Sequence, residues 1–232
     1  MRTSHLEKLM LARRDRRALA QVTFLASGRQ VLLKRGERAD PPLGLDEALD
    51  HAFERDQSVV VDTVEGSAFI NVFNPALRMV IIGAVHIAQA LVGLAKQAGY
   101  DVIVIDPRTA FATPERLPGA EVHAEWPDEV LPQIGLDPRT AFVALTHDPK
   151  IDDPALHLAL ASNVFYIGAL GSKRTHEQRR ARFLENGTEP SLLRRMHAPI
   201  GLDIGAKGPV EIALSIMAEV TAARHGKLPT LE

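Results

Sequence analysis

Four polar clusters in this chain each follow an apolar run: Gly83-Ala-Val-His86, Asp106-Pro-Arg108, Thr146-His-Asp148 and Gly168-Ala-Leu-Gly-Ser-Lys-Arg-Thr175. Gly83 and Ala88 occupy the first and third places of G-x-G-x-x-G/A, the turn by which a strand–helix unit holds a dinucleotide pyrophosphate. Val85 stands at the second place, where the backbone should approach the phosphates without a side chain between. Asp106 lies 23 positions after Gly83, close to the spacing of about 20 for a carboxylate that bonds a ribose diol. It also reads as a cap before Pro107, and Arg108 reads either as a phosphate partner or as a lone surface arginine. Lys173 and Arg174 precede a possible capping box, Thr175 to Gln178, which sets them beside a helix N-terminus. Cations are disfavoured there by about 0.3–1 kcal/mol each, and a bound phosphate would reverse that, because amides, dipole and guanidinium then converge on one anion. Ser172, Gly168 and Gly171 belong to the same candidate anion site, the glycines allowing close backbone approach.

His86, His147 and His197 stand near strand ends, but without H-E-x-x-H or another ligand spacing, so no metal site is expected and His86 reads as a polar residue at a pocket rim. His147-Asp148 is a candidate acid–base pair that sequence adjacency alone does not establish. His197-Ala-Pro-Ile-Gly-Leu-Asp-Ile-Gly-Ala-Lys207 alternates Ile200, Leu202 and Ile204 while carrying Gly201, Asp203 and Lys207. It reads as a fixed binding loop over the pocket. No G-x-S-x-G elbow is present, and the absence of cysteine excludes disulfides, Cys-ligated zinc, iron–sulfur clusters and thiolate nucleophiles.

These clusters need strands and helices to position them. Met79–Ile82, Val102–Ile105, a weaker segment at Glu121–Ala124, Ala141–Leu145 and Val164–Ile167 read as parallel strands covered on both faces. The helices between them are expected after His86, with Gly99 as C-terminal glycine, from Thr113-Pro114, from Asp153-Pro154, after Thr175 and from Pro209. The last is expected to bury Val210, Ala213, Leu214 and Met217. Five alternations predict an open parallel sheet; if its order is 3-2-1-4-5, the exits of strands one and four flank the ligand crevice.

Before Pro75 the pattern differs. A possible capping box at Ser4–Glu7 opens a short helix, Val22–Leu25 and Val31–Leu33 form a hairpin, Pro41-Pro-Leu-Gly44 breaks the chain, a helix starts at Asp46, and Val59–Val61 and Ala68–Phe73 are strands. The run Arg13-Arg-Asp-Arg-Arg17 reads as a solvated face. Two domains are expected, 1–76 and 77–232. With 46% hydrophobic residues, 24% charged residues and net charge −2, nothing in the whole-chain field would gather nucleic acid. No window reaches the roughly 18 apolar residues of a membrane span, and no signal-peptide pattern opens the chain, so a cytoplasmic location is expected.

Gly-Ala-Val-His-Ile-Ala-Gln-Ala at 83–90, Asp-Pro-Arg at 106–108, Leu-Thr-His-Asp-Pro-Lys at 145–150, and the segments 166–175 and 197–207 together resemble the Rossmann domain of the XdhC/CoxI family. The resemblance covers 77–225. It implies an α/β fold, a Rossmann-like doubly wound parallel sheet with a smaller N-terminal α+β domain. It also implies an accessory factor that binds molybdopterin or the complete molybdenum cofactor, protects it during sulfuration and delivers it to the apoenzyme of a molybdenum hydroxylase such as xanthine dehydrogenase. The family pattern has Gly-x-Gly-His at the first turn, where this chain has Val85, and an N-terminal cysteine that this chain lacks. Another protein, a desulfurase, would then supply sulfur. NAD(P) or another nucleotide is the alternative ligand, making the chain an oxidoreductase; a third reading is a non-catalytic interaction partner of the hydroxylase without a ligand, and a homodimer fits the thin N-terminal domain.

Overall fold

The computed structural model describes residues 3–39 and 44–228. The Ser4 side chain of the first capping box and the break at Pro41-Pro42-Leu43 lie outside the described residues. The chain divides into two compact units, Met1–Pro75 and Ala76–Glu232.

In the first unit, α1 (Thr3–Arg14) precedes β1 (Leu19–Phe24) and β2 (Gln30–Lys34), and α2 (Asp46–Arg55) precedes β3 (Val59–Thr63) and β4 (Gly66–Phe73). The strands form an antiparallel sheet of order β2-β1-β4-β3. Ala20, Val22, Phe24, Ala68 and Ile70 turn to one face, where Leu49, Ala52 and Phe53 of α2 cover them. Period-two alternation in the strands meets period-3.6 spacing in the helix, and that match fixes the register.

The second unit is built on β5 (Arg78–Ile82), β6 (Asp101–Ile105), β7 (Glu121–His123), β8 (Thr140–Ala144), β9 (Tyr166–Ala169) and the two-residue β10 (Met196–His197). They make one parallel sheet of order β10-β9-β8-β5-β6-β7. The order reverses between β5 and β8, as expected, and β10 adds an edge strand where a loop was expected. All residues of β5 and β8 are buried. On one face α3 (His86–Gln97) and α8 (Pro209–Arg224) bury Leu91, Val92, Ile216 and Val220. On the other α4 (Pro127–Ile134), α5 (Pro149–Ala161), α6 (Lys173–Glu185) and α7 (Pro190–Leu193) bury Val130, Leu156, Phe183 and Leu193. Each such side chain contributes about 1.5–3 kcal/mol when fully buried, so coverage on both faces holds the strand ends in place.

Several expected elements begin elsewhere. Thr113 starts no helix: residues 113–120 run through successive turns, with Arg116 N bonded to Thr113 O and Leu117 N to Pro114 O, and Pro118-Gly119 stops any continuation. Two Asp-Pro pairs lie close together here, 148–149 and 153–154, and the earlier one starts α5. Asp148 caps it and Pro149 takes the first turn, leaving Pro154 inside the helix. Similarly, α6 starts before Thr175, because Ser172 is its cap. In α8 the buried stripe is Ala213, Ile216, Met217 and Val220, while Val210 and Leu214 face outward.

Candidate functional site

The carboxyl ends of β5, β6, β8 and β9 carry the polar clusters. At the end of β6, Asp106 is fully buried and its two oxygens accept four hydrogen bonds. Oδ2 takes Ala84 N (2.8 Å) and Arg108 Nη2 (2.7 Å); Oδ1 takes Arg108 N (3.0 Å) and Arg108 Nε (2.9 Å). A carboxylate has about four acceptor positions, so none is left for a ribose diol. Asp106 instead ties the turn after β5 to the turn after β6. Burial pushes its carboxyl up, but the Arg108 side chain, the Ala84 and Arg108 amides and the Arg108 charge together hold it below its usual range. Arg108 keeps 36% of its side chain exposed. The charges of Asp148 and Asp152 also act on it, which places it toward the reversal point between β5 and β8.

Gly83, φ +107°, closes against the neighbouring strand exit: a Cβ there would lie 2.7 Å from Thr146 Cγ2 and 3.2 Å from Thr146 N. Its lack of a side chain is therefore required by packing. Val85 precedes α3 with no side-chain cap bond and packs half-buried on the core, and His86 is the exposed first residue of that helix.

At the end of β8 the turn is organised by a residue that none of the sequence motifs singles out. Asp152, fully buried, accepts from Thr146 Oγ1 (2.7 Å) and from His147 N (3.1 Å). Burial pushes this carboxyl up, against the bonds from Thr146 and His147 and the charge of Arg179. Thr146 Oγ1 in turn accepts from Asp148 N (3.0 Å), and Asp148 Oδ1 accepts from Lys150 N (2.9 Å). His147 sits at φ +63° with its side chain exposed. Asp148 is thus engaged through Oδ1 as the cap of α5, a use the sequence reading did not give it.

Within β9, Gly168 passes so close to Ile200 and Tyr166 that a Cβ would overlap both, and after it Gly171, φ +146°, lies against Thr175. Ser172 Oγ accepts from Thr175 N (3.2 Å) and caps α6. Lys173 and Arg174 are the first two residues of that helix, both exposed. One face below them, Arg179 is 2% exposed. Its Nη2 donates to Leu170 O (3.3 Å) and lies 3.7 Å from Asp152 Oδ2, while Nε and Nη1 are buried without a hydrogen-bond partner.

The 197–207 segment is pinned at its start. Glu219 of α8, 7% exposed, accepts from Gly201 N (2.7 Å) and from the Tyr166 hydroxyl, and its Oε1 lies 3.4 Å from His197 Nδ1. Tyr166 and His197 stack with ring centroids 5.1 Å apart. Burial pushes Glu219 up, yet His197, Tyr166 and the Gly201 amide outweigh it and leave the carboxyl below its usual range. Gly201, φ +92°, has no room for a Cβ beside Ser215 and Ile216. Ile200 is buried, whereas Leu202, Asp203, Ile204 and Lys207 are exposed.

Asp106 and Arg108 are therefore in direct contact, as are Thr146, His147 and Asp152, while Asp203 projects from the exposed half of its loop. Asp152, Arg179 and Glu219 belong to no recognised motif. Glu219 had a legible signal, a carboxylate three residues after Ile216 on a helix face that is otherwise apolar. Among the described residues no group of three or more His, Cys, Asp or Glu is placed to hold a metal ion.

Over 157 residues the chain is 34% identical to a Bacillus subtilis (strain 168) protein named as a probable xanthine dehydrogenase subunit, covering 67% of this chain and 46% of that protein. Over 152 residues it is 32% identical to the molybdenum cofactor insertion chaperone PaoD of Escherichia coli (strain K12), covering 66% and 42%. The matched stretch spans less than half of either relative. A crystal structure described as a xanthine dehydrogenase from Bacillus halodurans shares the fold, with a TM-score of 0.67 at 24% identity over 99% of this chain and 66% of that one. The XdhC Rossmann domain model matches residues 79–220, the whole span from β5 into α8 that carries the four clusters and the pinned loop, and the chain belongs to that family.

Proposed function

We infer that this chain is an accessory factor for a molybdenum hydroxylase, holding the molybdenum cofactor as cargo through its phosphate at the start of α6. The names of the Bacillus and Escherichia relatives support the hydroxylase connection. The observation that carries the site is the charge of one helix start. Of the long helices that follow strands of the parallel sheet, α4, α5 and α8 have Asp128 and Glu129, Asp152, and Glu211 in their first turns, and α3 has no acidic residue there. Among these helices only α6 has two cations, Lys173 and Arg174, and no acidic residue in its first turn, whereas α5 sets Lys150 beside Asp152; α6 carries five basic against two acidic residues in a chain whose net charge is −2. A helix N-terminus with two cations in its first turn is unfavourable until an anion sits there. The buried Arg179 beneath the same loop is paired with Asp152 (3.7 Å) and Asp153 (3.8 Å), so the positive charge of the site rests on Lys173 and Arg174.

The residues fit a phosphate-bearing cargo better than a nicotinamide dinucleotide, whose ribose would need the acceptors that Asp106 has filled and whose pyrophosphate would meet Val85. The chain has no thiolate with which to ligate molybdenum or carry sulfur. The sulfur would then come from a separate desulfurase, and the chain would orient and shield the cargo. A cytoplasmic setting belongs to this reading, and no helix among the described residues is long and apolar enough to cross a membrane.

Purification of the chain from a cofactor-producing host tests this. Molybdenum and pterin are expected to co-purify, and Lys173→Ala combined with Arg174→Ala is expected to reduce both about tenfold or more, since each charge-assisted bond contributes about 1.5–3 kcal/mol. Unchanged molybdenum content in the double variant would overturn the assignment.

A further inference from the structure

The connection from β6 to β7 carries an arrangement that the phosphate site does not use. On this connection, residues 106–120, Phe111 is 40% exposed. The Arg108 guanidinium lies over this ring, 4.9 Å from its centroid, and that of Arg116 is 5.2 Å from the same centroid. Neither arginine is loose. Arg108 is fixed in plane by its paired bonds to Asp106 (2.9 and 2.7 Å). Arg116 donates from Nη1 to Ala110 O (3.3 Å), and the Gln89 amide oxygen, turned toward it, accepts from its Nε (3.1 Å) and Nη2 (3.2 Å).

Three planar groups are thus assembled at the carboxyl edge of the sheet, and their ordering is done in folding rather than on binding. Pre-ordered planar side chains lose little entropy when a ligand stacks on them. Aromatic rings and guanidinium planes accept a heterocycle through its π-face, without hydrogen bonds that specify which one. The local chemistry also explains why Asp106 is closed to a ribose: its four acceptor positions orient Arg108 and so shape the platform. We propose that Arg108, Phe111 and Arg116 form a stacking platform for a planar nitrogen heterocycle, either a pterin ring or a nucleobase.

This rests on the cargo reading for what the heterocycle is attached to, but not for the platform itself, and separate probes keep the two apart. Fluorescence of 6-hydroxymethylpterin titrated with the full chain, and its displacement by cytidine or adenosine, reads the heterocycle without phosphate. Calorimetry with inorganic pyrophosphate reads the α6 start without a heterocycle. Phe111→Leu is expected to weaken pterin or nucleoside binding about tenfold, within the range of one base–aromatic stack, and to leave pyrophosphate affinity unchanged. Arg116→Gln, which leaves Phe111 in place, is expected to act in the same direction. Lys173→Ala with Arg174→Ala is expected to weaken pyrophosphate alone. Pterin binding that nucleosides do not displace assigns the platform to the pterin, and displacement by one nucleoside assigns it to a base. Absence of heterocycle binding to the unaltered chain, or binding unchanged in both platform variants, would overturn the platform. Absence of pyrophosphate binding with heterocycle binding retained would overturn the α6 reading and leave the platform standing.

Discussion

Asp106 accepts two hydrogen bonds at each carboxylate oxygen, and three of its four donors belong to Arg108. Replacing it by Asn would turn an NH2 group toward donors already in place and leave the guanidinium without its charge partner. Breaking a buried pair costs about 3–5 kcal/mol, but Arg108 is partly solvated, so Asp106→Asn is expected to lose roughly 2–3 kcal/mol in denaturant titration, most of it through Arg108. Saturable micromolar NADH binding to the unaltered chain that disappears in this variant would contradict the role given to Asp106. Gly83 makes a second test at this scale. Its φ of +107° and the 2.7 Å approach a Cβ would make to Thr146 Cγ2 mean that Gly83→Ala must shift the β5 and β8 exits apart, at an expected cost of about 1–3 kcal/mol. Spacing alone located both residues, since a βαβ unit fixes how far the second strand end lies from the first turn. Their use was not legible. It depends on Arg108 folding back by two residues and on Thr146 arriving from a strand far along the chain.

The start of α6 is the element on which binding depends, and its boundary shows what limits a reading from sequence. Ser172 and Thr175 both carry cap-competent hydroxyls, and Gly171, with φ +146°, precedes the cap that is used, Ser172, three residues before Thr175. The same ambiguity between two Asp-Pro pairs displaced the start of α5, whereas strands β5, β6 and β8, uninterrupted apolar runs, were legible to within one residue. Periodicity locates an element's middle; its ends are decided by tertiary contacts and by competition among caps. For α6 the cap also separates stability from binding. Ser172→Ala should destabilise by about 1 kcal/mol through loss of the bond to Thr175 N. Ser172→Asp should keep the cap and the melting temperature, since Asp caps as well as Ser, yet put a carboxylate where the phosphate is proposed to lie. Pyrophosphate affinity is therefore expected to fall in the Asp variant despite full stability. Equal affinity in the two proteins would show that the anion does not use this helix start.

At the scale of the molecule, two buried carboxylates brace different parts of the parallel-sheet unit. Asp106 joins the turns after β5 and β6, Glu219 joins α8 to the 197–207 segment, and they have no hydrogen-bond partner in common. Both are held below their usual ranges in the folded chain. A carboxylate with a depressed folded pKa contributes its full stabilisation above the unfolded value, and loses it as pH falls from there through the folded value. The unfolded values are about 3.9 for Asp and 4.3 for Glu. Asp152, pushed up by burial, works with the opposite sign: its ionisation opposes folding as pH rises through its unfolded value, so acid relieves it. Burial first, and then the charges of Arg179 and Arg180, hold the His176 pKa down, so stability falls as pH drops through the unfolded histidine value of about 6.5, and the loss of two braces against one strain relieved carries the decline on through the carboxylate range. The chain's single tryptophan, Trp126, lies at the start of α4 and is 45% exposed, so its fluorescence reports on this unit. In denaturant titrations followed at Trp126, Glu219→Gln is expected to lower stability at pH 7 and to flatten part of the acid decline. Asp106→Asn should flatten another part, and the double variant should lose close to the sum of the two, because sites without shared partners add within about 0.5 kcal/mol. An acid decline of unchanged steepness in the double variant would mean that other carboxylates carry the pH dependence of the fold.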